Sequence, residues 1–468
     1  MGGCRSASDN DDDEDGGRLE YDQLGKSSSS STGSGKACEQ RALADWRSMV
    51  ELHAGPRRAS CHSGRRSITR GVEYAPRPRR LYYTLLTILD AVFSGALAGP
   101  AVVGYWRGTW GLSGFYVYPG EPELSSLASI LIGFCGLFAF SLAQTVLATL
   151  LHPDRHRLCF YVGSRLYTAL YGLCCVNAWR GTWQALDLYT EHTFATVFTT
   201  TCVSLLALAV MRTLRNISAP PFAISLDTFN GYFDVPTLFR VDNSKDWSLY
   251  ILDCAFSVGV VGTLVVFVWR GAWVLFDLYL FPENREHSAV GSLVIGYVIV
   301  VVSFTLQPLM RCTCSRLTGL ARLLAADGYL LVSFIGTVNV WRGIWNVLDL
   351  YLLPEDPKLS CWITHLGCFV FLMLLNCSNS VLVRGVYIDA EEEEAGKCVV
   401  FPCHYLRLFF KVEREKKEVR RRNLIVASRD LVGSRGDPSD KETENGALLN
   451  ATANPVIRPA HRVPESLV

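Results

Sequence analysis

Nothing in this chain reads as a catalytic or nucleic-acid-binding signature. It has no glycine-rich phosphate loop, no zinc-ligand spacing and no activated nucleophile. His152 and His156 stand four apart, but the intervening proline and the short loop make a solvated turn rather than a metal site. No enzyme activity, cofactor, metal or nucleic-acid partner is therefore expected. Charge is scarce, 19% of 468 residues, and the net value of +1 says little by itself; where the charges stand says more. No cleavable signal peptide is expected, because the stretch before residue 80 is acidic, then Ser-rich, then Arg-rich. The first apolar span is expected to act as its own insertion signal. The chain has sixteen cysteines, but nearly all fall in the apolar spans or on the side expected to be cytoplasmic, and only Cys361 nears the outer face. They read as free thiols rather than a disulfide framework, with Cys312, Cys314, Cys398 and Cys403 as candidates for palmitoylation.

Long apolar runs dominate what is present. Eight stretches, 82–104, 125–150, 159–178, 193–211, 249–268, 288–310, 323–340 and 361–383, each approach the ~20 residues that cross a hydrocarbon core. The expected class is an all-α polytopic membrane protein with eight transmembrane helices and disordered tails. Residues 1–80 form an arm, 81–384 the bundle and 385–468 a tail. Basic residues gather before span 1 (Arg57 to Arg80), between spans 2 and 3 (Arg155, Arg157), between 4 and 5 (Arg212, Arg215, Arg240, Lys245), after 6 (Arg311, Arg316) and after 8 (Arg384). The opposite loops carry mostly acids, among them Glu121, Glu191, Glu283 and Glu355. The positive-inside bias puts both termini in the cytoplasm.

One phrase, Trp-Arg-Gly-x-Trp, is written four times, beginning at Trp106, Trp179, Trp269 and Trp341, and it holds eight of the eleven tryptophans. The second tryptophans are Trp110, Trp183, Trp273 and Trp345, and the arginines are Arg107, Arg180, Arg270 and Arg342. Three copies continue to Asp187, Asp277 and Asp349, each followed by Leu-Tyr; the first has Gly114 where the acid should stand. In a continuous helix the arginine and the aspartate share a face. The minimum reading is an aromatic belt at the membrane boundary. A belt needs no fixed Arg, Gly or Asp, so the motif is read as a packed joint in which glycine admits a neighbouring backbone and Arg and Asp pair between or along helices.

The unit of duplication is four spans, with halves of about 81–212 and 248–384. Ile88-Leu89-Asp90 matches Ile251-Leu252-Asp253, and Ser129, Gly133 and Gln144 meet Ser292, Gly296 and Gln307 at the same shift. Two parallel four-helix repeats follow. Asp90, Gln144, Arg165, Asp253, Gln307 and Asp327 share a depth roughly 21–24 Å below the tryptophans at 1.5 Å per residue. They read either as span-end residues or as an intramembrane polar layer, with Arg165 the counter-ion of one of the acids. The rest of the spans holds almost no ionisable group, which argues against a proton-coupled pump. Pro100 predicts a kink in span 1 that Thr263 would not give span 5.

The ends carry their own signals. Gly2 and Cys4 fit acylation sites, and the Arg-rich stretch 57–80 fits anionic lipid. The segment 399–412, with Phe401, Tyr405, Phe409 and Phe410 beside Arg407 and Lys411, reads as amphipathic and lying on the inner leaflet. Ser466 and Val468 resemble the end of a PDZ-domain ligand.

Eight spans with Trp-Arg-Gly-x-Trp and Leu-Asp-Leu-Tyr phrases on alternate loops resemble the fuseless family of invertebrate multipass proteins, over roughly 81–383. The resemblance implies a neuronal plasma-membrane protein of the presynaptic terminal, associated with voltage-gated calcium-channel localisation and synaptic vesicle exocytosis. Its implied partners are membrane lipids, a calcium-channel complex and a PDZ scaffold. A small-solute transporter using the polar layer is the competing reading.

Overall fold

The computed structural model describes residues 77–152, 156–228, 231–243, 245–391 and 396–434. Among these residues there is helix, turn and irregular chain, and no strand. Helix α1 (Arg77–Phe93) runs through a π-helical turn, Ser94–Ala98, into α2 (Gly99–Tyr116). Then come α3 (Pro122–Leu150), α4 (Arg157–Tyr189) and α5 (Phe194–Val210). The second half has α6 (Trp247–Phe256), a π-helical turn at Ser257–Val261, α7 (Gly262–Tyr279), α8 (Arg285–Arg316), α9 (Gly319–Tyr351) and α10 (Pro357–Leu374). A basic helix, α11 (Tyr405–Ser434), follows.

Six helical spans among these residues are long and apolar enough to cross a membrane: α1–α2, α3, α6–α7, α8, α9 and α10. Helix α4 has 33 residues, with Arg165 within its apolar run, and α5 has 17. These two complete eight helical rods, so the eight-span expectation is compatible with the fold.

Two kinds of rod are present. Helices α2, α4, α7 and α9 touch one another in a closed inner circuit. Each is backed by one outer helix: α10 on α2, α3 on α4, α5 on α7 and α8 on α9. An outer helix therefore packs on the inner helix that follows it in the chain, and the last one closes back onto the first.

Capping explains where the outer helices begin. Pro122 and Pro357 occupy first-turn positions, where a missing N–H costs nothing. Thr193, Asn284 and Asp356 are N-caps that accept from the amides of Thr196, His287 and Leu359.

The boundaries differ from the sequence expectation in three places. Each inner helix continues through its whole phrase to the tyrosine, so the tryptophans lie inside the helix, not at its end. Helix α10 stops at Leu374, and the rest of the expected span, up to Val383, is a 3-10 turn and extended chain. The π-helical turn recurs in both halves, so Pro100 is not its cause. Ser94 and Ser257 open the two turns, and both bind loop backbone: Ser94 donates to the Pro221 carbonyl, and Ser257 accepts from the Leu238 amide at 2.9 Å.

The interior is finished by chain that the sequence offers as a basic connection and the start of a tail. Leu214, Ile217, Phe222, Phe233 and Val235, between α5 and α6, are buried in the main core with Val381, Val386, Val399 and Phe401. The segments after α5 and α10 fill the middle of the bundle from the end opposite the tryptophans.

Candidate functional site

The four phrases meet on the axis of the inner circuit. Their first tryptophans form a closed square, Trp106–Trp179–Trp269–Trp341, with neighbouring ring centroids 5.2, 5.6, 5.3 and 5.7 Å apart. One turn further along, Trp110, Trp183, Trp273 and Trp345 form a second square with spacings of 5.7, 5.8, 5.8 and 5.8 Å. Every pair is edge to face, the arrangement that sets the positive rim of one indole against the negative face of the next. These eight residues line a cavity of about 190 Å³.

The tryptophans are thus not a lipid-facing belt. The tyrosines that close the phrases are the exposed aromatics: Tyr116, Tyr189, Tyr279 and Tyr351. Inside hydrocarbon an indole gains nothing by leaving water, so the squares are held by close packing and polar pairing. Three inner-square N–H groups find loop carbonyls: Trp106 donates to Val381 at 2.9 Å, Trp269 to Ile217 at 3.0 Å and Trp341 to Pro220 at 2.7 Å. The loops that fill the other end are in this way fastened to the tryptophan end.

Behind the squares lies a ring of buried arginines, each between 1% and 6% exposed. Arg107 Nε donates to Asp349 at 2.7 Å, Arg270 Nε to Asp187 at 2.8 Å and Arg342 Nε to Asp277 at 2.8 Å. Each pair therefore runs between helices, from an arginine to the acid on a neighbouring inner helix. Outer-helix serines complete the arginines: Ser360 for Arg107, Ser288 and Ser292 for Arg342, and Ser125 and Ser129 for Arg180. Arg180 has no carboxylate partner among the described residues, since its counterpart position is Gly114.

Glycine in the phrase is where the outer helix comes closest. A Cβ on Gly108 would lie 2.6 Å from the Cys361 carbonyl oxygen of α10, and one on Gly181 2.5 Å from the Ile130 amide nitrogen of α3. A side chain there would push the two helices apart.

The polar layer becomes a set of loop cradles at the opposite end. Asp253 accepts from the Thr237 hydroxyl (2.6 Å) and from the amides of Phe239 and Val241 (both 3.1 Å). Asp90 accepts from the Leu406 amide and from Arg407 Nε at 3.0 Å. Gln144 exchanges bonds with the backbone of Val235, and Gln307 donates to the Val399 carbonyl.

Arg165 pairs with Asp227, not with Asp90, Asp253 or Asp327; the spacing along the spans gave no hint of an acid folded in from the loop. Asp327 is half-buried and joins none of these cradles. Sequence reasoning also missed Asp389. Asp227 holds the amides of Ser378 and Asn379, while Asp389 holds those of Leu214 and Arg215. Each half's loop carboxylate thus caps the start of the other half's loop. The signal was available, since Asp227 and Asp389 stand at nearly the same shift as Gln144 and Gln307.

The segment from Val399 to Tyr405, the first residue of α11, is docked in the bundle rather than lying on a surface. Phe401 stacks on Tyr329, with centroids 5.3 Å apart, and Tyr405 stacks on Phe93 at 4.1 Å; Phe409 and Phe410 remain exposed. Cys314 and Cys403 are buried, against the expectation of accessible acylation sites, whereas Cys312 and Cys398 are half-buried. Gly2, Cys4, Ser466 and Val468 lie outside the described residues.

The sequence profile of the Fuseless family matches residues 85–382, more than half of the chain. The chain belongs to the Fuseless family. The matched region runs from the first apolar helix to the loop after α10, so both tryptophan squares and the cradles of Asp227, Asp253 and Gln144 lie within the Fuseless part of the chain, whereas the contacts of Asp389, of Gln307 with Val399 and of Asp90 with α11 reach beyond it. No curated protein matches, and no solved structure matches.

Proposed function

We propose that this Fuseless-family protein is a non-enzymatic organiser of the presynaptic plasma membrane, supporting calcium-channel localisation and vesicle exocytosis. In this reading both chain ends face the cytosol, and the tryptophan end faces outside. The family resemblance supplies the setting. The observation that carries the organiser over a transporter is the fastening of the central axis at both ends. Indole N–H groups bind the carbonyls of Ile217, Pro220 and Val381, while Asp90 holds the first turn of α11 and Asp253 and Gln144 hold loop backbone. A solute path by alternating access would have to break most of these bonds on every cycle, and each would leave an unpaired polar group in a dry interior. A rigid bundle that displays tails is the role such bonding favours.

Two measurements test this. Proximity labelling from the carboxyl terminus in neurons should mark calcium-channel subunits, and a truncated tail should lose that mark. Purified protein in proteoliposomes should pass no small solute. A flux that disappears on Asp90→Asn or Asp253→Asn would replace the organiser with the transporter.

A further inference from the structure

Three of the four arginines behind the tryptophans are neutralised by an aspartate of a neighbouring helix, and the fourth shows what remains when that acid is missing. Arg180 and Arg342 have the same serine fork. Arg180 Nη1 donates to Ser129 at 2.6 Å and Nη2 to Ser125 at 2.8 Å; Arg342 Nη1 donates to Ser292 at 2.5 Å and Nη2 to Ser288 at 2.6 Å. Arg342 then gives Nε to Asp277, whereas Arg180 has only its two serines among the described residues. A guanidinium 6% exposed, with hydroxyls but no counter-charge, is a costly arrangement away from water.

The place where the acid would stand is open. A Cβ added to Gly114 would meet, beyond its own helix, only Arg180 Nη2, at 3.9 Å. Gly114 is itself partly exposed, near the end of α2. The aspartates at the three equivalent positions are 35%, 35% and 49% exposed. The position therefore faces the medium at the tryptophan end, and a solute can reach it without crossing the core.

We infer that the notch between Gly114 and Arg180 binds a small monocarboxylate anion, of acetate size, from that medium. Its carboxylate takes the place that Asp277 takes beside Arg342, one oxygen accepting from Nε, and its short apolar part fills the space of the missing side chain. Binding completes the fourth link between α2 and α4, so occupancy stiffens the tryptophan end. This inference is independent of the organiser role.

The test is thermal melting of the full-length protein in neutral detergent, with sodium chloride replaced stepwise by sodium acetate at constant ionic strength, and acetamide as the uncharged control. The melting temperature should climb with acetate and level off, as for a ligand that binds only the folded state, and acetamide should do nothing. Gly114→Asp should melt higher than the parent without acetate and should ignore it. Gly114→Asn, which fills the notch without charge, should also ignore it, and keeps the test readable if Gly114→Asp fails to fold. An equal acetate response in the parent and these variants overturns the site, and so does a parent whose melting temperature stays flat as acetate replaces chloride.

Discussion

The two ends of the bundle are built by different means. At the tryptophan end, side chains from four helices meet side chains, and one short phrase repeated four times supplies nearly all of them. At the opposite end, helix and loop carboxylates meet loop backbone amides, and the pattern repeats only twice. Identical side chains at one height on four helices need only a regular helix to be brought together. A loop has no period, so its amides must be captured by acids whose positions follow from the fold.

The largest expected effect lies at the loop end. Asp253→Ala removes the acceptor of two hydroxyls, Thr237 and Ser257, and of two amides inside the bundle. It should lower stability by on the order of 4 kcal/mol or more, at about 1–3 kcal/mol per orphaned donor, read as a fall in melting temperature. Close behind comes Trp106→Ala, at about 3–4 kcal/mol for the lost packing. Trp110→Ala, in the more open outer square, should cost visibly less; equal losses would erase the distinction between the two squares.

Asp349→Asn should be milder, about 1–2 kcal/mol, because the amide oxygen still accepts from Arg107 and the site is partly wet. The smallest effect concerns docking of α11. Burial, with Arg407 and Arg311 nearby, holds the His404 imidazole down to about 4, against about 6.5 for the undocked chain. The docked state thus favours the neutral ring. Its contribution is complete above pH ~6.5 and is lost as pH falls towards 4. Proteolysis of α11 should accelerate across that window, and His404→Gln should flatten the dependence.

Much of the tryptophan end was legible in the sequence. Eight indoles at fixed spacing, with Arg and Asp on one helical face, predicted a joint, and Gly114 marked the copy that departs. The same spacing fitted pairing within a helix or between helices, because seven residues is two turns either way; only the packing of α2, α4, α7 and α9 decides between them. At the other end Arg212, Arg215, Arg240 and Lys245 marked 211–246 only as a basic connection between spans 4 and 5. The apolar residues Phe222, Ile224, Phe233 and Val235 within it were the sign of burial. The bundle needed that filling because α5 and α10 are short, ending at Val210 and Leu374.

The central claim is that the arginine ring joins neighbouring inner helices and closes between the first and the last. A double-mutant cycle tests it most directly, with Arg107→Met and Asp349→Asn compared with Arg342→Met and Asp349→Asn in the same thermal assay. The account predicts a coupling of about 1 kcal/mol for Arg107 with Asp349, residues 242 positions apart, and additivity for Arg342 with Asp349 on their shared helix. Coupling within the helix and none across the chain would contradict it.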